Sequence, residues 1–189
     1  MHLILASASP RRAELLHSAG FAFTITPPDV DETPMDGETA AAYTLRVARD
    51  KARHVARTRR ESDAGVLGAD TEVVVDGTIF GKPADADDAR RMLRLLSGRV
   101  HDVLTAVVLI GRSREVDEVV ATRVWFAPLT DEDLDWYVAS GEPMGKAGAY
   151  AIQGLGARFV ERIDGSWSNV VGLPVATLHR LSRAVQWSG

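Results

Sequence analysis

Four short stretches of this chain combine a tight turn or a glycine with polar side chains: Ser7 to Arg12, Gly68 to Thr71, Gly81-Lys82-Pro83, and Ser97 to His101. With them come four cations, Arg11, Arg12, Lys51 and Lys82, and two carboxylates, Glu32 and Asp70. Cations bind phosphate oxygens, and carboxylates hold a hard divalent cation through oxygen, so the set points to phosphate ester or anhydride chemistry. In the stretch LILASASPRRAELL an apolar strand breaks into small hydroxyl residues and then a helix. Ser9 suits the N-cap and Pro10 the first helical position, which puts Arg11 and Arg12 in the first turn. Helix N-termini leave backbone N–H groups free for anions, and cations there oppose the helix dipole unless an anion sits nearby. The stretch reads either as an anion-binding turn or as two solvated arginines.

Other chemistries fit less well. A serine–histidine–aspartate hydrolase built on Ser7 or Ser9 with His101 lacks the G-x-S-x-G elbow. Neither the G-x-x-x-x-G-K-[ST] loop nor a G-x-G-x-x-G first turn is present. Five histidines contain no H-x-x-x-H pair, against a zinc site of that kind, and His101 alone reads as structural.

The elements that must position these residues follow from periodicity and turn chemistry. A helix is expected from Pro10 to Ala19, closed by Gly20, then a strand from Phe21 to Thr26. The proline-bounded acidic loop Pro27 to Pro34 is either a solvated connection or a carrier of carboxylates to a site. A helix from Thr39 to about Arg59 buries Tyr43, Leu45, Ala48, Ala52, Val55 and Ala56. Lys51 falls beside that stripe, either laying its stem on the core with its head in water or reaching inward to an anion. Val66 to Val75 reads as a strand interrupted by Gly68 to Thr71, and Asp76-Gly77 as a hairpin turn into Thr78-Ile79-Phe80. Asp85 caps a helix that runs to Leu96 with Met92, Leu93 and Leu96 inward, stopped by Gly98. Val100 to Ile110 is the strongest strand and should be central, turning through Gly111 to Asp117 into Glu118 to Phe126. Thr130 to Asp133 resembles a capping box for a helix to Ala139, ended by Gly141. The glycine-rich segment Glu142 to Gly156 has no clear period and reads as a pocket wall. Phe159 to Ile163 is a strand, Asp164-Gly165-Ser166 a turn, and Pro174 opens a last helix ending near Val185. Hairpins mixed with crossover helices make an α/β fold on a mixed, twisted sheet, as a single domain over residues 1–189.

Composition sets the outer limits. With 189 residues, 46% of them hydrophobic, the chain can bury a proper core. A net charge of −4 argues against a general nucleic-acid or membrane-surface binder and favours a small anionic ligand gathered at basic loops. The absence of cysteine excludes disulfides, thiolate metal sites and cysteine nucleophiles. The N-terminus does not read as a signal peptide and no apolar run is long enough to cross a bilayer, so a cytosolic protein is the default.

Taken together, the motifs resemble those of the Maf nucleotide pyrophosphatases, a family named for a link to inhibition of septum formation. The resemblance covers essentially the whole chain. It is carried in order by Ser7-Ala8-Ser9-Pro10-Arg11-Arg12 with Glu14-Leu15-Leu16, Val30-Asp31-Glu32, Lys51-Ala52, Gly68-Ala69-Asp70-Thr71, Gly81-Lys82-Pro83, Ser97-Gly98 with His101, AGAYAIQGLG and VVGLP. Each marker is weak singly; their order and spacing are specific. The resemblance implies an α/β fold like that of inosine triphosphatases, with a cleft between two lobes. It implies an enzyme that hydrolyses a nucleoside triphosphate between the α and β phosphates, giving the monophosphate and pyrophosphate. A divalent cation (Mg²⁺ or Mn²⁺), a cytoplasmic location and a homodimer come with it. Asp70 matches the proton acceptor and, with Glu32, the metal-binding carboxylates. Ser7, Arg11, Arg12, Lys51 and Lys82 match the phosphate-binding set. Arg12, Thr71 and Gln153 resemble the branch acting on dTTP and UTP. A sister branch acting on N7-methyl-GTP carries tryptophan, glutamine and glutamate there. The alternatives are that sister activity, or a nucleotide-binding regulator of septum formation.

Overall fold

The computed structural model describes residues 2–58, 64–112 and 114–185. Position 59, to which the second helix was expected to extend, lies outside them. The chain divides into two compact units. The first holds residues 1–71, 105–120 and 172–189, and the second holds 72–104 and 121–171.

In the first unit the strand β1 (Leu3–Ala6) runs into α1 (Pro10–Ser18), and β2 (Phe23–Ile25) follows. Gly20 sits just past the helix at φ +77°, the left-handed conformation that ends a helix without Cβ strain. β2 is shorter than the alternation suggested. A long acidic loop leads to α2 (Ala40–Thr58) and then β3 (Gly65–Val75). β1 pairs in parallel with β2 and with β3, and its last residue, Ala6, lies opposite Gly68. The later part of β5 (Val100–Ile110), the first part of β6 (Glu115–Phe126) and α6 (Val175–Ala184) complete this unit.

Alternation along these strands builds two cores, one on each face of the sheet. Leu3, Leu5, Leu67, Ala69, Val107 and Leu109 pack with Leu16 of α1 and with Leu178 and Leu181 of α6. Ala6, Val66, Ala106 and Val108 pack on the other face with Ala48, Ala52 and Val55 of α2. Burial on both faces explains the nearly continuous apolar runs of β3 and β5.

β3 is not interrupted at Gly68. It is an unbroken strand, because Gly68 there supplies close approach and not a turn: a Cβ on it would lie 2.3 Å from the Ala48 carbonyl oxygen and 2.8 Å from Ala52 Cβ. The glycine lets α2 settle directly on the strand.

In the second unit the rest of β3 turns at Asp76-Gly77, both with positive φ as a primed hairpin requires, into β4 (Thr78–Phe80). α3 (Ala86–Leu96) is capped by Asp85, whose carboxylate accepts from Asp88 N–H at 2.8 Å. α4 (Asp131–Ala139) starts with a reciprocal Thr130/Asp133 capping box. Two short 3₁₀ helices, Ala147–Ala149 and Leu155–Phe159, punctuate the glycine-rich segment before β7 (Val160–Asp164). A one-turn helix not expected from sequence, α5 (Trp167–Val171), follows; Ser166 Oγ accepts from Asn169 N–H three residues on.

The strand order is β2-β1-β3-β5-β6-β7, with β4 beside β3. Parallel β1–β3 and antiparallel β6–β7 pairs make the sheet mixed, and β5 is central as expected. Among the described residues no helix is long and apolar enough to cross a membrane.

Candidate active site

β1 ends at Ala6 opposite Gly68, and β3 runs on past it. Asp70 and Thr71 therefore lie beside the turn that links β1 to α1, the place where parallel strands present loops to ligands. Adjacent residues of a strand point to opposite faces, and this parity gives the two side chains different company.

Asp70 points to the α2 face, in step with Val66 and Gly68. Lys51 lies on that face of α2 between Ala48 and Ala52, one turn along from the glycine contact. Its ammonium donates to Asp70 Oδ1 at 2.8 Å, and Glu32 Oε1 lies 2.8 Å from the same nitrogen. Lys51 is buried, not laid out to water, and Asp70 is only 5% exposed. One lysine thus joins two carboxylates that are far apart in sequence. Asp70 Oδ2 is buried with no hydrogen-bond partner among the described residues. An unpaired buried carboxylate oxygen is costly to keep, and such atoms in native structures call for a functional account.

Glu32 reaches this group because its loop is tied to α2. The Tyr43 hydroxyl donates to the Glu32 carbonyl at 2.8 Å. Arg46 donates to the Thr33 carbonyl at 3.0 Å and pairs with Glu38 at 2.8 Å. Asp31 Oδ1 accepts from Thr33 N–H within the loop. The proline-bounded acidic segment is an anchored arm.

Thr71 points to the other face, where Arg12 meets it. The Arg12 guanidinium is buried and donates to Ser7 Oγ at 3.0 Å, Thr71 Oγ1 at 3.1 Å and the Gly172 carbonyl at 2.9 Å. Thr71 Oγ1 lies 3.0 Å from Thr105 Oγ1. Ser9 is the N-cap residue by position, but its side chain makes no cap bond; instead its N–H donates to Ser7 Oγ at 3.2 Å. Arg11, on the same first turn, is half-buried, and loss of solvent pulls its guanidinium below the ordinary arginine value. The two arginines of the first turn are therefore not two solvated cations.

The structure places the nine expected site residues as follows. Glu32, Lys51 and Asp70 form one group and Ser7, Arg12 and Thr71 a second, joined through the Asp70–Thr71 backbone. Arg11 borders the second group. Lys82 and Gln153 belong to the second unit, both exposed. There the Gly81 carbonyl, next to Lys82, accepts from Gly148 N–H at 3.1 Å. Thr105 and the Gly172 carbonyl were not anticipated. The available signal for Thr105 was a lone hydroxyl in the otherwise apolar run from Val103 to Ile110.

His101 is structural, as read from sequence. Its ring packs edge-on against Phe126 and Tyr150, and its Nε2 lies 2.9 Å from the Tyr150 hydroxyl. Burial pushes its imidazole down to about 4, so it stays neutral near pH 7.

Residues 2–185 match the family described as Maf-like protein. The chain belongs to the Maf family. Among its relatives, the dTTP/UTP pyrophosphatase of Anaeromyxobacter dehalogenans is 56% identical over 96% of this chain and 92% of its own length. Those of Myxococcus xanthus and Shewanella oneidensis are 52% and 51% identical, covering 98% and 96% of this chain and 95% and 96% of their own. Among solved structures, a nucleoside-triphosphatase / dITP/XTP pyrophosphatase from Mycobacterium abscessus matches 98% of this chain and 93% of its own at 19% identity and a TM-score of 0.44.

Proposed function

We propose that this Maf-family chain is a nucleoside triphosphate pyrophosphatase that hydrolyses dTTP and UTP between the α and β phosphates. The observation that carries the chemistry is the Asp70 carboxylate. Its Oδ1 is held by Lys51 at 2.8 Å, while its buried Oδ2 has no partner among the described residues. One oxygen fixes the orientation and the other remains to accept a proton from water. Named relatives more than half identical over nearly full length support the choice of substrate.

Anhydride hydrolysis needs charge neutralisation and positioning more than covalent help. Ser7, Arg11, Arg12, Lys51 and Lys82 supply hydroxyl and cationic groups for phosphate oxygens. Water attacks, its proton passes to Asp70, the anhydride bond breaks, and pyrophosphate leaves with the bridging oxygen. Two carboxylates brought together at Lys51 suit a Mg²⁺ or Mn²⁺ ion, a hard cation that oxygen donors bind. Such an ion, held by Glu32 and Asp70, would neutralise charge on the triphosphate and acidify water. Gln153 both donates and accepts, which suits the edge of uracil or thymine. Arg12 bonds directly to Thr71, so these two specificity positions act as a coupled pair. A cytoplasmic homodimer completes the reading, on the family resemblance.

Purified protein incubated with dTTP or UTP and Mg²⁺ should release pyrophosphate and the monophosphate. Asp70→Asn should lower turnover by about a hundredfold or more while remaining folded. Release of orthophosphate would reject the bond assigned, and full activity of Asp70→Asn would reject the base.

A further inference from the structure

Gln153 is exposed at the tip of a turn in which Gly154 N–H donates to the Ala151 carbonyl at 3.2 Å, leaving Ile152 and Gln153 as the central residues. An exposed turn tip in a segment without regular structure has little to hold it. Here both flanks are tied to one pair of side chains. On one flank, Ala151 N–H donates to the Tyr137 hydroxyl at 3.1 Å. On the other, Leu155 N–H donates to Glu142 Oε1 at 2.8 Å and Gly156 N–H to Oε2 at 3.2 Å. The two ties are joined, because Tyr137 O–H donates to Glu142 Oε2 at 3.1 Å.

The surroundings are built for this approach. A Cβ on Gly154 would lie 1.9 Å from Glu142 Oε1, and one on Gly156 would lie 2.6 Å from the Tyr137 oxygen. Gly154 has a negative φ of −115°, so it is needed for space and not for a left-handed turn. Tyr137 is fully buried in α4, with Phe159 edge-on at 5.1 Å, and burial raises its phenol so that it remains a hydroxyl. The rigid end of the network is thus a helix, and the loop hangs from it.

We infer that Tyr137 and Glu142 are positioning residues that clamp the Ala151–Gly154 turn and so set where Gln153 presents its amide to a pyrimidine base. This rests on the reading that Gln153 meets the base. The clamp acts on the base end of the substrate and not on the triphosphate. A nucleoside triphosphate and a base-free triphosphate ester should therefore respond differently to its removal.

The test compares wild type, Glu142→Ala, Glu142→Gln, Tyr137→Phe and Gln153→Ala on dTTP, UTP and methyl triphosphate with Mg²⁺. Glu142→Ala leaves two loop N–H groups without their acceptor and is expected to raise KM for dTTP and UTP about tenfold. Its kcat on dTTP and its turnover of methyl triphosphate should stay within about twofold of wild type, the pattern of lost binding at one end of the substrate. Glu142→Gln keeps one acceptor oxygen and should recover part of the loss. Combining Glu142→Ala with Gln153→Ala should add nothing to the KM effect of Gln153→Ala alone. An equal loss on methyl triphosphate, or additive effects in the double variant, would overturn the clamp. A KM effect of Gln153→Ala with none from Glu142→Ala or Tyr137→Phe would do so while sparing the base-reading role. No effect of Gln153→Ala would overturn both. If Glu142→Ala does not fold, Glu142→Gln and Tyr137→Phe carry the same comparison.

Discussion

Replacing Gly68 with alanine tests how the strand, the helix and the Lys51–Asp70 pair depend on one another. In a generic position inside a strand this change should help, because alanine restricts the unfolded chain and gains about 0.4–1 kcal/mol. Gly68 is not generic. Its added methyl would sit 2.3 Å from the Ala48 carbonyl oxygen and 2.8 Å from both Ala52 N and Ala52 Cβ. Backbone cannot rotate away, so α2 must retreat by about 1 Å to restore ordinary contact, an overpacking strain near the top of the usual 1–3 kcal/mol range. After the generic gain, a net loss of about 2 kcal/mol remains, or roughly 4–8 °C in Tm for a chain of this size. Lys51 lies between Ala48 and Ala52 and retreats with them, lengthening its 2.8 Å bond to Asp70. A displacement of about 1 Å at a reacting group lowers turnover by about a hundredfold. Urea and thermal unfolding would be followed beside dTTP hydrolysis at 25 °C, where the variant is still folded. Gly81→Ala is the control for stability: among the described residues nothing lies within 4 Å of its Cβ position, so it should be neutral or slightly stabilising. A Gly68→Ala protein as stable and as active as wild type would refute the argument that this glycine seats α2 and, through it, Lys51.

Three further outcomes are expected. Arg12→Leu and Thr71→Val, singly and together, should show a coupling of about 1–2 kcal/mol in urea unfolding because the two side chains share a 3.1 Å hydrogen bond; additive effects would contradict that contact. Arg12→Trp should shift preference among dTTP, UTP and N7-methyl-GTP in a competition assay, and an unchanged ranking would refute a role for the Arg12–Thr71 pair in choosing the base. His101 has its value lowered from 6.5 to about 4 in the folded state, so between those pH values the unfolded chain binds more protons. Its contribution is complete above pH 6.5 and is lost as pH falls towards 4, about 3 kcal/mol in all. His101→Phe should flatten that part of the stability profile, and an unaltered slope would refute the assignment.

Much of the fold was legible because its signals are local. The Asp76-Gly77 hairpin, the Asp85 and Thr130 caps and the helix-ending Gly20 each depend on residues within one turn of one another. The failures were also local signals, misread for want of a neighbour. Gly68 looked like a break, since a sequence does not show that a helix will lie against that glycine. α5 was missed because five residues carry no period. Phe21 to Thr26 alternates throughout, yet β2 covers only Phe23–Ile25, set opposite Leu3 to Leu5 and flanked by bonds to β1 at the Ala22 carbonyl and Thr26 N–H, since pairing depends on β1 and not on the segment itself.

The site divides in the same way. Residue types alone pointed towards phosphate chemistry, with solvated arginines as the alternative: hydroxyls and arginines at a strand–helix turn, a carboxylate in a glycine-bearing strand, and a lysine at the margin of an apolar helix face. Strand parity, also written in the sequence, sends Asp70 and Thr71 to opposite faces. Only the tertiary structure decided who meets them. Lys51 is 19 residues from Asp70, Arg12 is 59 from Thr71, and Glu142 lies 14 from the last loop amide that it holds. Those distances are closed by packing α2 against Gly68, α1 beside β3, and the glycine-rich loop against Tyr137. Hydrogen bonds of this kind depend on which hydrophobic faces pack together, so no local pattern announces them.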